Sequence, residues 1–189
     1  MNIFIDTISS PASVILFDDN RSITGSISWD IKWNESSTLI PKIDELIKQN
    51  KLEYSDLENI VVINWPGSFT GIRTTVLSAN SINYIINKNM TALSYFDLFD
   101  TYPILKSSSK RDCFVQFDSH SYIQIIENKE LLNLLIEKNI NKIYWEINAE
   151  LFPNIEILEK IDYISIIKEL KFDKLNQIQA LYIKKPNIS

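Results

Sequence analysis

The chain contains little cysteine, histidine and glycine, and each shortage excludes a class of chemistry. Among its 189 residues there are one cysteine, Cys113, and one histidine, His120. An internal disulfide therefore cannot form, and the cluster of three or four ligands that a zinc ion requires is missing. We predict no metal and no cofactor, and we interpret His120 as a turn residue and Cys113 as a buried strand residue.

Long apolar runs and an excess of positive charge are also missing. The net charge is −5 and the pI is about 5.0, which opposes binding of nucleic acid by this chain alone. No apolar run approaches the roughly 18–20 residues that a membrane span needs. The N-terminal segment has no basic stretch before an apolar one, so we expect no signal peptide and a cytoplasmic location.

The order of apolar runs in the first half predicts an α/β lobe. Three antiparallel strands are expected first, then a helix, a buried strand, a second helix and a short strand. The helical turn that follows closes the lobe near residue 103. The predicted strands are 2–6, 13–17, 22–29, 60–63 and 91–94, and the predicted helices are 36–49 and 72–87.

The second half repeats this order in a shorter form. Residues 106–110, KSSSK, are the most linker-like stretch of the chain, and a hairpin, a helix, a strand, a second helix and a terminal strand are predicted after it. We therefore predict an N-terminal lobe at 1–103 and a shortened C-terminal lobe at 104–189. The later elements are predicted at 113–118, 122–126, 129–138, 142–146, 162–170 and 181–184.

Two of the three glycines, Gly67 and Gly71, lie at one strand-to-helix corner. Glycine suits positions where φ is positive or where another group comes close. A helix N-terminus can cradle a phosphate, but neither GxxxxGKS/T nor GxGxxG is present, and GxSxG fails because no serine is central. The alternative is a tight corner at which Ser68 or Thr70 caps the second helix.

The segment 57–73, LENIVVINWPGSFTGIR, closely resembles the hallmark of the TsaB (YeaZ-like) family, GPGSFTGxR after a buried strand. Trp65 stands in place of the first glycine, and the matching loop residues are Pro66, Gly67, Ser68, Phe69, Thr70, Gly71 and Arg73. Supporting matches are Ile5-Asp6-Thr7, the Ser36 to Pro41 segment with Glu35 where histidine is usual, 92–94 and 181–184. The resemblance covers most of residues 1–100 and is thin from 101 to 180.

This resemblance implies an actin-like (ASKHA) fold with two βββαβα lobes, of which the second is reduced here. It further implies a non-catalytic scaffold that binds a TsaD-type catalytic subunit and a TsaE-type ATPase. That complex places threonylcarbamoyl on the adenosine beside the anticodon of certain tRNAs, and this chain would contact tRNA only indirectly. The shortened second lobe puts TsaE recruitment in question.

The second helix carries the residue-level evidence for a partner. Ile72, Val76, Ala79 and Ile86 form a core-facing stripe, whereas Leu77 and Tyr84 lie opposite it among small residues. This second apolar side is covered either by the chain's own second lobe or by a helix of a partner protein. The resemblance to the TsaB family favours the partner helix. The predicted partner-binding residues are Thr74, Leu77, Ser78, Ser81 and Tyr84, with Leu39 and Ile43 from the first helix.

Two alternatives to a scaffold stay open from the sequence. A small kinase or acyltransferase of the same fold would bind ATP, but the turns at 7–11 and 119–121 lack the glycines that hold phosphates, and Pro11 removes an amide donor. A homodimeric regulatory protein could use the same face of helix 72–87.

The sequence also suggests roles for two single residues. Asp6 is either a relic of a metal-water ligand or a cap for its own turn. Arg73 is predicted to pair with a carboxylate or carbonyl.

Overall fold

The computed structural model of this chain describes residues 1–30, 35–144, 152, 155–158 and 161–181. These residues form two units. Unit 1 comprises Met1–Tyr95 together with the described residues from 163 to 181, and unit 2 is Phe96–Asp162. The predicted division, 1–103 and 104–189, differs because the chain after residue 162 returns to pack on unit 1.

Unit 1 is built on a five-stranded sheet with strand order β3-β2-β1-β4-β5. Its strands are β1 (Asn2–Asp6), β2 (Ala12–Phe17), β3 (Ile23–Trp29), β4 (Asn59–Trp65) and β5 (Asn89–Ser94). The first three pair antiparallel, and β4 joins β1 and β5 in parallel. Because β1, β2 and β4 are central, nearly all of their residues are buried, as expected for strands covered on both faces.

Two helices, α1 (Glu35–Gln49) and α2 (Phe69–Ile86), pack against each other in unit 1. Helix α1 also contacts β2 and β3, and α2 contacts β4. The helix begins at Glu35, one residue before the predicted start, and Pro41 lies inside it. The side chain of Ser36 lies outside the described residues.

The chain returns to unit 1 through a short helix, α4 (Tyr163–Glu169), as the periodicity of 162–170 predicts. The Tyr163 hydroxyl donates to Asp6 Oδ2 at 2.8 Å, and its ring meets the edge of Phe4. Beyond α4, Arg21 donates to the Leu170 carbonyl at 3.1 Å and lies 4.1 Å from the Phe172 ring centroid. Polar and aromatic contacts therefore hold this segment on unit 1.

Unit 2 repeats the strand order of unit 1 in a smaller sheet, β10-β9-β6-β7-β8. Its elements are β6 (Ile104–Ser107), β7 (Asp112–Gln116), β8 (Gln124–Glu127), α3 (Asn128–Glu137), β9 (Lys142–Tyr144) and β10 (Glu156–Leu158). Strands β6, β7 and β8 pair antiparallel, and β9 pairs parallel with β6 and β10. The strand order is therefore the same in both sheets, whereas the second helix predicted for the second half, 162–170, is α4 and belongs to unit 1.

The predicted linker at 106–110 is instead the turn of the β6–β7 hairpin. Lys106 and Ser107 belong to β6, and the amides of Ser108 and Ser109 bond to the Asp112 carbonyl. Serine-rich sequence is typical of turns as well as linkers, and pattern alone does not separate the two. The predicted terminal strand 181–184 lies outside the described residues except for Leu181, which is in no strand.

The turn between β7 and β8 contains His120, as predicted. Asp118 Oδ1 accepts the His120 amide at 2.9 Å, and Ser121 Oγ accepts the amides of Phe117 and Asp118. Cys113 is fully buried in β7, in the same apolar cluster as Leu131 and Leu135 of α3.

Among the residues that the model describes, no helix is long and apolar enough to cross a membrane.

Replacing Tyr163 with phenylalanine should destabilise unit 1 by roughly 1.5–3 kcal/mol, the range for a hydrogen bond to a charged group. The ring contact with Phe4 is kept, while Asp6 Oδ2 loses a buried donor. Urea denaturation measures the change, and Tyr122→Phe at an exposed hydroxyl serves as the matched control. An equal, small effect of both substitutions would contradict the assignment.

The buried thiol of unit 2 should be unreactive in the folded chain. Burial, and then the charge of Asp112, raise the pKa of Cys113 from 9.0 to about 12. Above pH 9.0 the thiol ionises in the unfolded chain only, so this group should lower stability progressively as the pH rises toward 12. A thiol reagent should label Cys113 only after denaturation, and Cys113→Ala should flatten the alkaline slope; rapid labelling of folded protein would contradict this.

Candidate functional site

The corner between β4 and α2 is closed by Ser68, one of the two predicted caps. Ser68 Oγ accepts the Gly71 amide at 3.0 Å, and the Ser68 carbonyl accepts the Ile72 amide at 3.0 Å. Thr70 lies within the first turn and is exposed. Because Ser68 satisfies an amide that an anion would need, the cap favours a structural corner over a phosphate cradle.

Glycine is favoured at this corner by the close approach of side chains and not by backbone conformation. Neither Gly67 nor Gly71 has a positive φ. A Cβ at Gly67 would lie 3.1 Å from Ile8 Cγ1, and one at Gly71 would lie 2.7 Å from Ser68 Oγ. The glycines therefore leave room for the cap and for the side chain of Ile8 from the β1–β2 turn.

The β1–β2 turn is held by Asp6, which is fully buried. Asp6 Oδ1 accepts the amides of Ile8 and Ser9 at 2.9 Å each, while Oδ2 accepts the Tyr163 hydroxyl. The Thr7 hydroxyl bonds to that of Thr75 in α2. Asp6 thus caps its own turn, which is one of the two roles predicted for it. The bond between Thr7 and Thr75 connects this turn to α2.

Burial, followed by the charge of Asp6, raises the pKa of two neighbouring tyrosines, Tyr95 and Tyr163. The carboxylate is therefore surrounded by neutral hydroxyl groups and main-chain amides. No group of three or more His, Cys, Asp or Glu residues that could hold a metal ion occurs among the described residues.

One face of α2 is exposed and carries large apolar side chains. Leu77 is 69% exposed, Tyr84 is 92% exposed and Ile85 is 81% exposed. Ser81 lies between them and is exposed, and Thr74 and Ser78 at the borders are half-buried. The opposite face, with Ile72, Val76, Ala79 and Ile82, is in the core. Five of the predicted partner-binding residues therefore share one surface, which we call the α2 face.

Leu39 and Ile43, the two residues predicted from the first helix, do not lie on this surface. They are 1% and 0% exposed, because the apolar side of α1 packs on β2, β3 and α2. A partner cannot reach them in this fold, and the prediction for both is wrong.

The loop residues divide between core and surface. Pro66, Gly71 and the neighbouring Trp65 are buried, whereas Phe69 is exposed at the start of α2. The Arg73 guanidinium lies 5.0 Å from the Phe69 ring centroid, which replaces the carboxylate or carbonyl partner predicted for it. Such a cation–π contact orders both side chains at an exposed site.

Sequence reasoning missed Ile85 and three asparagines. Ile85 follows Tyr84 and lies eight residues after Leu77, a spacing that would have placed it beside the exposed face. Asn64, Asn80 and Asn83 bind main-chain carbonyls of residues 176–179. Those carbonyls are distant in sequence from Asn64 in β4 and from Asn80 and Asn83 in α2. No local pattern around the asparagines therefore predicts these bonds.

Comparison with known proteins connects this chain with tRNA modification proteins. Residues 32–98 match the family model "TsaD: tRNA N6-adenosine threonylcarbamoyltransferase". The tRNA threonylcarbamoyladenosine biosynthesis protein TsaB of Buchnera aphidicola is 30% identical over 82 residues, and that of Bacillus subtilis is 29% identical over 90 residues. These matches cover 43% and 48% of this chain but only 36% and 39% of the two TsaB proteins.

A relative of nearly equal length is the MG208 homolog of Mycoplasma pneumoniae, which is 21% identical over 97% of this chain and 95% of its own length. The structure of YeaZ from Pseudomonas aeruginosa superposes with a TM-score of 0.59 at 15% identity, covering 68% of each chain. The crystal structure of a protein described as similar to the peptidase YeaZ from that organism gives 0.71 at 12% identity, covering 97% of this chain and 100% of the other.

These matches confirm the resemblance to the TsaB family and the α/β fold, which is similar to that of YeaZ. The match to the TsaD model implies a fold of the ASKHA type. The assignment of the two units to ASKHA lobes stays a prediction.

Removing the cap with Ser68→Ala should destabilise unit 1 by about 1 kcal/mol, since the Gly71 amide loses its acceptor. Thr70→Ala removes an exposed hydroxyl two residues away and should change stability much less. Ser68→Asp, which keeps an acceptor at this position, should restore most of the loss. Urea denaturation of the three variants tests this, and a larger loss for Thr70→Ala would overturn the assignment of the cap.

Proposed function

We propose that this TsaB-like chain is a non-catalytic subunit in tRNA threonylcarbamoyladenosine biosynthesis that binds a TsaD-type catalytic subunit through the α2 face. The observation that carries the proposal is the exposed row of Leu77, Tyr84 and Ile85 on α2. This helix begins at Phe69, within the PGSFTGxR segment on which the family resemblance rests.

The composition of the α2 face suits a helix of another protein. Aromatic side chains are enriched at the centres of interfaces, and an exposed apolar patch rimmed by polar residues marks an interaction site. The small residues Thr74, Ser78 and Ser81 would let a second helix approach closely between Leu77 and Tyr84. Arg73 is the single charged residue in α2, so little charge would need to be removed from water on binding.

The proposal of a non-catalytic role is supported by the β1–β2 turn. Three observations weigh against a phosphate in that turn: it has no glycine, Pro11 lacks an amide proton, and the Ile8 side chain packs against Gly67. Both carboxylate oxygens of Asp6 accept bonds from the protein itself. These features favour a subunit that assists a catalytic partner over a kinase or acyltransferase.

Within this proposal the chain would act in the cytoplasm and would meet tRNA only through the complex. A TsaE-type ATPase is the second proposed partner. The chain on its own would use the α2 face for a homodimer in the absence of the catalytic subunit.

Leu77→Glu should abolish a one-to-one complex with the TsaD-type protein of the same organism, because it places a charge in an apolar contact. Size-exclusion chromatography with light scattering measures the complex. The matched control is Ile136→Glu on α3, where the isoleucine is 65% exposed, and it should leave the complex intact.

Three other outcomes would count against the proposal. Complex formation that survives Leu77→Glu would place the interface elsewhere. A homodimer lost with Leu77→Glu, but with no complex at any ratio, would favour the homodimeric alternative. No complex together with ATP binding by calorimetry would favour the enzyme of the same fold.

A further inference from the structure

The chain after α4 lies along α2 and β5 as an extended segment, residues 173–180, which we call the strap. Its one β-bridge joins Leu175 to Met90 through two main-chain bonds of 2.9 and 3.2 Å. The Asp173 amide donates to Thr91 Oγ1 at 2.9 Å. The strap thereby pairs with the edge strand of the unit 1 sheet, which would otherwise present free main-chain groups.

Side-chain amides hold the rest of the strap by its main chain. Asn80 makes two bonds of 2.9 Å with Ile178, donating to the carbonyl and accepting from the amide. Asn83 donates to the Asn176 carbonyl at 3.0 Å, and Asn64 donates to the Gln179 carbonyl at 2.9 Å. A paired amide contact of this kind sets both the position and the direction of an extended chain.

The strap borders the α2 face along a groove of about 530 Å³. One wall is formed by Phe69, Arg73 and Leu77 of α2, and the other by the strap residues 177–180. Leu77 therefore belongs both to the α2 face and to the groove, so the two surfaces are continuous.

Charge identifies what this groove would accept. Among the residues that the structure describes, Arg73 is the single charged one that lines it, in a chain whose acidic residues outnumber basic ones by 24 to 19. The guanidinium is exposed and lies 5.0 Å from the Phe69 ring centroid, so its donors are accessible to a partner. An apolar side chain beside a carboxylate complements this combination.

We propose that the strap is one wall of the partner-binding surface and that Asn80 is its positioning residue. The groove takes an apolar side chain flanked by a carboxylate, presented by a helix of the catalytic subunit. This inference rests on the proposed function and adds a second contact region to the α2 face. Asn80 also lines the groove, and its two bonds to Ile178 are what hold the strap in place.

The test replaces Asn80 with alanine in the full-length chain. Amide exchange at Ile178 should speed up, because its acceptor Asn80 Oδ1 is removed, and the affinity for the TsaD-type subunit should fall about tenfold by calorimetry. Asn80→Asp keeps an acceptor for that amide and should retain part of the protection and part of the affinity. Asn133→Ala, at an exposed asparagine of α3, is the control and should change neither.

The salt dependence of binding tests the charge. Affinity of the wild-type chain should fall as salt is raised, and Arg73→Gln should bind more weakly with a reduced salt dependence. An unchanged salt dependence in that variant would overturn the predicted carboxylate.

The outcomes separate the two proposals. If Leu77→Glu abolishes the complex while Asn80→Ala releases the Ile178 amide with affinity unchanged, the strap is no part of the surface and the proposed function stands. If the Ile178 amide stays protected in Asn80→Ala, the positioning role is wrong. If the wild-type chain forms no complex, both proposals fail together.

Discussion

The buried carboxylate of Asp6 is the interaction on which the rest of unit 1 depends. It ends the central strand, holds the following turn through two amides, and receives the hydroxyl of Tyr163 from the far end of the chain. Without these donors the buried carboxylate would lack hydrogen-bond partners, which is costly in a protein core. A single side chain thus links the first strand, its turn and the returning C-terminal segment.

The position of α2 follows from that turn. Once Asp6 has shaped it, Thr7 bonds to Thr75, and Ile8 fills the space that Gly67 leaves open. Ser68 then begins the helix, whose buried stripe lies on β4 and α1. These contacts bury one side of α2 and leave Leu77, Tyr84 and Ile85 exposed on the other side. The exposed surface is therefore a consequence of the packing of the buried side.

Polar side chains of unit 1 bind the main chain of the returning segment, whose own apolar side chains Ile167, Leu170 and Ile178 are buried. Arg21, Asn64, Asn80, Asn83 and Thr91 all bond to main-chain groups of residues 170–179. Such bonds contribute about 1 kcal/mol each and depend on geometry. They set the position of the segment, which in this way forms a second wall beside the α2 face.

The sequence by itself determined the order of strands and helices in unit 1, a helix cap at Ser68 or Thr70, the glycine corner and the two sides of α2, because each depends on residues within a few positions of one another. It misplaced Leu39 and Ile43 among surface residues and took the β6–β7 turn for a linker, since an apolar stripe does not say what covers it and serine suits turns and linkers alike. Only the tertiary structure decided that Asp6 meets Tyr163 and that asparagines of α2 hold the strap. Those contacts join residues about 90 to 160 positions apart, and polar pairs at such separations follow from packing, which no local pattern encodes.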